Sequence, residues 1–446
     1  MIGSINLKHE LDRLVWPILL ETLLTFLLGG VDTFMLSQHS DNAVAAVGMD
    51  NQILALVFLL YTITNAGTSV LCSQYFGASR NDSFIQVSGV ALLLNLFLGL
   101  LTSILLFIWA GPILELMGLR PELQADGIPY LRIVGSFAFA QAVSTTVSAI
   151  LRSAKKPKYP MLVIVVVNIL NIAGNYTLIF GKFGMPALGA EGAAISTSIS
   201  RVVSMVILLV VLQRKQIASF PMRLFRPFPV DELRKLLKIG LPSAGENISY
   251  NMQQLTLLYF INIISNEALT ARTYVVSIVM FVYLYAICVA QGSSIMVGNL
   301  TGLHKTQASY AIGKVAWHKG AIITLSFSIV CALCGPFIAG ALTDNAEIIQ
   351  LMCWCFWVDV LLEVGKCINI WATNTLRATG DIMFPFYLGL VVQWLVGVGL
   401  GYVFGIVLGF GLIGMWFAFV FDENIRGFIF VIRWNSFKWA NRSFVK

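Results

Sequence analysis

The sequence predicts an all-α integral membrane protein whose twelve transmembrane helices form two six-helix bundles related by a pseudo-twofold axis. Three observations carry that expectation. Of 446 residues, 58% are hydrophobic and only 11% charged, and the mean hydropathy is +0.82, outside the range of soluble globular domains. The apolar residues fall in runs long enough for a spanning helix, whereas a transmembrane strand needs only about 10 alternating residues. The chain also matches itself at one fixed displacement of 225 residues.

The first apolar segment, 14–38, reads LVWPILLETLLTFLLGGVDTFMLSQ and carries Glu21 and Asp32. A carboxylate facing lipid is costly, so each acid should meet protein, water or a cation. Asp32 lies roughly 16 Å along the helix from Glu21, near the outer end. Segments 46–75, 86–110 and 128–152 follow, the last closing on Arg152, Lys155, Lys156 and Lys158. The fifth, 159–181, sets Asn168, Asn171 and Asn175 on one helix face. The sixth, 190–213, supplies Ser196, Thr197 and Ser198. The seventh, 239–263, places Glu246 four residues after Pro242, as Glu21 follows Pro17. Segments 269–298 and 313–340 come next. The tenth, 348–375, holds Asp359, Glu363 and Lys366 at helical spacing, and 383–408 and 411–434 complete the set. The CxxC pair Cys331 and Cys334, with Cys353 and Cys355, sits in apolar runs without nearby His and reads as helix packing rather than metal or redox chemistry.

Lysines and arginines collect at the N-terminus, after the fourth segment, between Arg214 and Lys238, and in the C-terminal tail. The alternate connections hold few. The positive-inside rule therefore places both termini in the cytoplasm, in a multi-pass protein of the inner (plasma) membrane. No short cleavable signal pattern precedes the first span, so the N-terminus is expected to be retained. The net charge of +7 sits at helix ends and does not imply a nucleic-acid partner. The expected domains are a six-helix lobe at 1–213, a basic linker at 214–238 with a short interfacial amphipathic helix, a second lobe at 239–434 and a basic tail at 435–446.

At the displacement of 225, Pro17 and Glu21 fall on Pro242 and Glu246, Gly67 on Gly292, and Leu151, Arg152 and Pro160 on Leu376, Arg377 and Pro385. One register over such separated stretches marks two copies of a six-helix unit. An even count inserts both copies in the same direction, as in parallel-repeat transporters. Asp32 falls on Leu257, so the copies differ in their outer acid. Asp32 with the Asn and Ser/Thr groups of segments five and six forms a set of hard oxygen donors, suited to Na⁺ or to holding a proton. Asn168 alone reads as interhelical glue. For Glu246, Glu363 and Lys366, structural pairing and a part in proton or substrate handling both stand. Phe34, Met35 and Tyr61 are candidates for an apolar substrate path. No nucleotide-binding GxxxxGK[ST] or HExxH motif is present, so no enzyme and no cofactor is expected.

The run GGVDTFMLS around Asp32, GTSVLCSQYFGA, LRSAKKPKYPM, and Asn171 and Asn175 followed by FGKFGMPALGAEGAAIST together resemble the multidrug and toxic compound extrusion (MATE) transporters over essentially the whole chain. The resemblance implies alternating-access antiport of bulky, often cationic or amphiphilic organic compounds by a monomer in membrane lipid, driven by inward H⁺ ahead of Na⁺. It implies a cation site at Asp32, Asn171, Asn175 and Thr197, with Na⁺ the metal such a site would take. Asn175 stands where some members carry Asp. Tyr250 and Lys366 stand where NorM-like members carry acids on helices seven and ten, which makes the chain more similar to the DinF-like branch. The alternatives are a lipid-linked oligosaccharide flippase of the wider superfamily and an integral-membrane enzyme.

Overall fold

The computed structural model describes residues 2–214 and 220–445, and every regular element among them is helical. Twelve rods follow one another. The first six are α1 (Ile2–Ser37), α2 (Asp41–Gly77), α3 (Asn81–Leu116), the bent pair α4 (Gln124–Ser136) and α5 (Ala138–Ser153), α6 (Lys158–Phe180) and α7 (Gly189–Arg214). The second six are α8 (Val230–Ile264), α9 (Asn266–Gly302), α10 (Thr306–Leu333) with the short α11 (Gly335–Gly340), α12 (Ala346–Thr379), a rod holding α13 (Met383–Val392) and α14 (Gly399–Tyr402), and α15 (Gly411–Asn435). Nine helices among the described residues are long and apolar enough to cross a membrane, or ten with the α4–α5 pair, which bends by 47°. α8 falls short through a run of amides that includes Asn247, Asn251, Gln253 and Gln254, and α15 through Asp422, Glu423 and Arg426. Polar groups on a rod of this length mark faces turned towards protein.

The helices outrun the apolar segments because capped polar turns extend them. Ser40 starts α2 by accepting a hydrogen bond from the Ala43 N–H, and Ser265, 225 positions on, does the same for α9 from Ala268. The duplication thus reaches the caps. It fails in the eleventh rod, where α13 and α14 are joined and followed by π-helical turns at Gln393–Val398 and Val403–Val407. Its counterpart α6 is an uninterrupted α-helix.

The chain folds as two compact units, residues 16–240 and residues 1–15 with 241–446. The two crossing points, after Val15 and after Gly240, lie 225 residues apart. Each unit therefore takes in the opening turns of a helix that continues in the other. In the first unit those turns come from α8, and the Leu236 carbonyl lies where a Cβ on Gly67 would stand, 2.6 Å from it. In the second they come from α1, and the Val15 side chain lies 2.9 Å from where a Cβ on Gly292 would be. Gly67 and Gly292 recur because helix backbones approach closely there. Polar contacts fasten the same turns. Glu232 accepts from the Tyr75 hydroxyl at 2.9 Å and from Lys235 at 2.7 Å, and Asp12 is ion-paired with Lys319. The stretch expected as a short interfacial helix is the start of α8, with Glu232 and Leu236 buried on protein.

Within the first unit, one apolar core gathers Leu36, Val47, Leu54, Leu114, Leu131 and Ala194 from five helices. A polar knot ties α2, α3 and α5 of the same unit, in which the Asn95 amide donates to Asn65 Oδ1 at 3.1 Å and to Thr146 Oγ1 at 2.7 Å. The second unit's core gathers Leu257, Val275, Met352, Phe356 and Trp416.

Candidate functional site

Four of the residues singled out by sequence are brought together by α1, α6 and α7 of the first unit. Asn175 Nδ2 donates to Asp32 Oδ1 at 2.6 Å and to Asn171 Oδ1 at 3.1 Å. Asn171 Nδ2 in turn donates to Thr197 Oγ1 at 3.3 Å. The order follows from helical spacing, since Asn171 and Asn175 stand one turn apart on α6. Ser196 Oγ anchors α7 by donating to the Asn171 carbonyl at 2.9 Å. Asn168, one turn nearer the start of α6, donates to the Leu24 carbonyl at 2.9 Å and ties α6 to α1.

Asp32, Asn171 and Thr197 line a cavity of 570 Å³ in this unit. Glu21 and Arg152 line it too, and form an ion pair at 3.3 Å. A second cation, Arg201, reaches the wall beside hydroxyls such as Ser144, Ser148 and Ser200. Its guanidinium carbon lies 5.1 Å from the centroid of the Phe58 ring. The cavity is therefore polar at its charged positions and apolar along Phe26, Val163 and Leu208, a combination suited to amphiphilic molecules.

In the second unit the equivalent positions carry different chemistry. Leu257, Val396 and Leu400 stand where Asp32, Asn171 and Asn175 are, and Asp422 stands where Thr197 is. Asp422 and Glu423 both pair with Arg426, at 2.8 and 3.0 Å. Gln253 donates to Asp422 at 3.1 Å and Asn369 to Glu423 at 2.6 Å. Lys366 sits 3.1 Å from Glu363 and 3.4 Å above the Tyr283 ring centroid. Glu246 is ion-paired with Arg377. A cavity of only 70 Å³ lies beside Tyr250, Arg272, Asp359 and Lys366. Buried ion pairs thus stand in this unit where the first carries the Asp32 chain.

A sequence model of the MatE family matches residues 17–177 and 242–403, two stretches that begin 225 residues apart. The chain belongs to the MatE family. Its members are membrane transporters, not enzymes. The chain is 39% identical to an uncharacterized transporter, YisQ, of Bacillus subtilis, over 98% of each. It is 24% identical to a probable multidrug resistance protein NorM of Thermotoga maritima, over 98% of this chain and 94% of that one. Among solved structures, a MATE crystal structure in the bent conformation superposes with a TM-score of 0.89 at 20% identity, over 97% of this chain and 96% of that one. The Vibrio cholerae MATE transporter VcmN in its bent form gives 0.87 at 17% identity, over 98% of both. These likenesses show the fold of twelve helices in two lobes.

Seen as a MATE chain, several expected path residues need correction. Met35 packs in the apolar core, and Tyr61 is buried with its hydroxyl 2.6 Å from Thr102. Phe34 is 64% exposed and does not line the cavity of its lobe. It is Phe58, one turn from Tyr61, that reaches the cavity. Lys366 neutralises Glu363, whereas Glu246 pairs with a different cation, Arg377. Two features escaped sequence reasoning. The partners of Glu21 and Glu246 are the arginines of the repeated Leu-Arg motif, and the joint recurrence of Glu and Arg at one displacement was the signal for them. Asp50 is fully buried on α2, and neither of its carboxyl oxygens has a hydrogen-bond partner among the described residues. No pattern in the sequence marks it.

Proposed function

We propose that this MATE-family transporter exports organic compounds by cation-coupled antiport, with H⁺ as the coupling ion and Asp32 as its carrier. One observation supports this above the others: the hydrogen-bonded chain from Asp32 through Asn175 and Asn171 to Thr197, set on the wall of a polar–apolar cavity. Asp32 is the one carboxylate in that chain. The group aimed at it is an amide N–H, which stabilises a carboxylate and leaves the other carboxyl oxygen for a proton. Na⁺ at the same residues asks for converging oxygens, and Asn171 Oδ1 and Thr197 Oγ1 are engaged by amide donors.

In this reading the substrate enters from the cytoplasm or inner leaflet, the lobes alternate in access, and cation arrival at Asp32 from outside favours release. Coupling requires that substrate and cation prefer different states or exclude one another at the site. In the same reading both termini lie on the cytoplasmic side of a plasma membrane, which the positive-inside pattern supports, and the protein acts as a monomer. A flippase for lipid-linked diphosphates fits less well, because Arg152, one of the two arginines of the cavity, is already paired with Glu21.

The test is uptake of a fluorescent organic cation into reconstituted vesicles, with a proton gradient and a sodium gradient imposed separately. Transport driven by the proton gradient in sodium-free buffer is expected. Transport that follows sodium alone, or that ignores both gradients, overturns the assignment.

A further inference from the structure

Two arginines stand 225 residues apart at the same register of the last helix of each unit, Arg201 on α7 and Arg426 on α15. Their surroundings are opposite. Arg426 has Asp422 and Glu423 four and three residues before it and is bonded to both. Arg201 has Thr197 and Ser198 at those positions. Among the described residues no carboxylate pairs with Arg201, and its Nη1 is buried without a hydrogen-bond partner. The Phe58 ring centroid lies 5.1 Å from its guanidinium, and Asp32 acts on it only from beyond ion-pair distance, which together compensate only in part for lost hydration. The other cation of the cavity, Arg152, is held by Glu21. Of the two guanidiniums on the wall of the 570 Å³ space, Arg201 is thus the one without an ion-pair partner among the described residues.

We propose that Arg201 is the receptor for one oxyanion of the transported molecule: a carboxylate on a zwitterionic amphiphile whose basic end meets Asp32. The proposal rests on the efflux reading above and narrows its substrate class. With Glu21 and Arg152 neutralising each other, the cavity presents one further pair of opposite charges, Asp32 and Arg201, which interact from beyond ion-pair distance. A zwitterion complements that pair. A simple organic cation leaves Arg201 unmatched, and a diphosphate brings more negative charge than one guanidinium neutralises. Planar, fork-like donors suit a carboxylate, and burial strengthens the bond.

The experiment measures equilibrium binding without any ion gradient, so its failure is separable from failure of the coupling scheme. Rhodamine B, which carries a free benzoate, and its ethyl ester, which does not, are titrated by fluorescence polarisation. The protein is full length in phosphatidylcholine nanodiscs. Wild type is expected to bind the acid about tenfold more tightly than the ester, the effect of one charge-assisted hydrogen bond. Arg201→Gln should remove that preference while keeping ester binding and monodisperse elution, and Arg201→Lys should restore much of it. Equal binding of acid and ester by wild type, binding of neither, or an equal loss of both in Arg201→Gln overturns the proposal. Phosphatidylglycerol that displaces rhodamine B from wild type but not from Arg201→Gln overturns the soluble-zwitterion assignment in favour of a lipid headgroup.

Discussion

The Glu21 carboxylate meets the Arg152 guanidinium at 3.3 Å across 131 residues of sequence. The second repeat makes the same bond between Glu246 and Arg377. Each pair joins the first helix of its repeat to the fourth, near a proline that opens the first helix's hydrogen-bond ladder. The duplication of both partners points to a shared structural task, and the side chains are only 16% and 25% exposed in the first pair. Removing one member leaves the other short of a partner. Glu21→Gln is expected to cost about 1–3 kcal/mol, and the exchange Glu21→Arg with Arg152→Glu should recover part of it. Thermal unfolding in detergent, arranged as a double-mutant cycle, reads the coupling; purely additive losses rule the pair out as a stabilising contact.

Asp32→Asn keeps the shape of the side chain and removes the charge that Asn175 serves. Gradient-driven uptake should vanish while elution and thermal stability stay near wild type. Asn175→Ala should weaken rather than abolish uptake, since the carboxylate survives without its donor. Proton-driven uptake at the wild-type rate in Asp32→Asn removes Asp32 from the coupling step.

Asp50 is buried with both carboxyl oxygens unbonded among the described residues. Burial of an ionised group without a partner is costly, and an amide of the same size avoids that cost. Asp50→Asn should therefore melt at the wild-type temperature or above it. A drop of several degrees implies that the acid has a partner or a bound ion that its present surroundings do not reveal.

Gly67 and Gly292 hold the opening turns of α8 and α1, and the two contacts differ in what stands opposite. A methyl on Gly67 meets the Leu236 backbone carbonyl, which moves only with its helix, whereas on Gly292 it meets a Val15 methyl that can shift. Gly67→Ala is expected to destabilise by about 1–3 kcal/mol, the usual range for overpacking, and Gly292→Ala by less. Equal melting temperatures for the two variants contradict this reading.

Much of this molecule was legible in one dimension. Apolar runs reveal spans because lipid admits only segments that bury their own polar backbone. A fixed displacement reveals duplication because equivalent positions keep equivalent surroundings. Helical spacing alone places Asn171 beside Asn175, and Asp422 and Glu423 beside Arg426. Tertiary structure decided which charges are spent and which remain. Glu246 had two plausible cations, and packing chose Arg377 on α12 over Lys366 on the same helix. The opening turns of α1 and α8 lodge in units their sequences do not name, because a glycine there admits a neighbouring helix. Asp50 is an ordinary acid until the folded bundle buries it. Arg201 and Arg426 are twins in sequence, yet whether each guanidinium is quenched or left open depends on which carboxylates fold within reach. Contacts between residues distant in the chain are set by the shape of the packed bundle, and no local pattern records them.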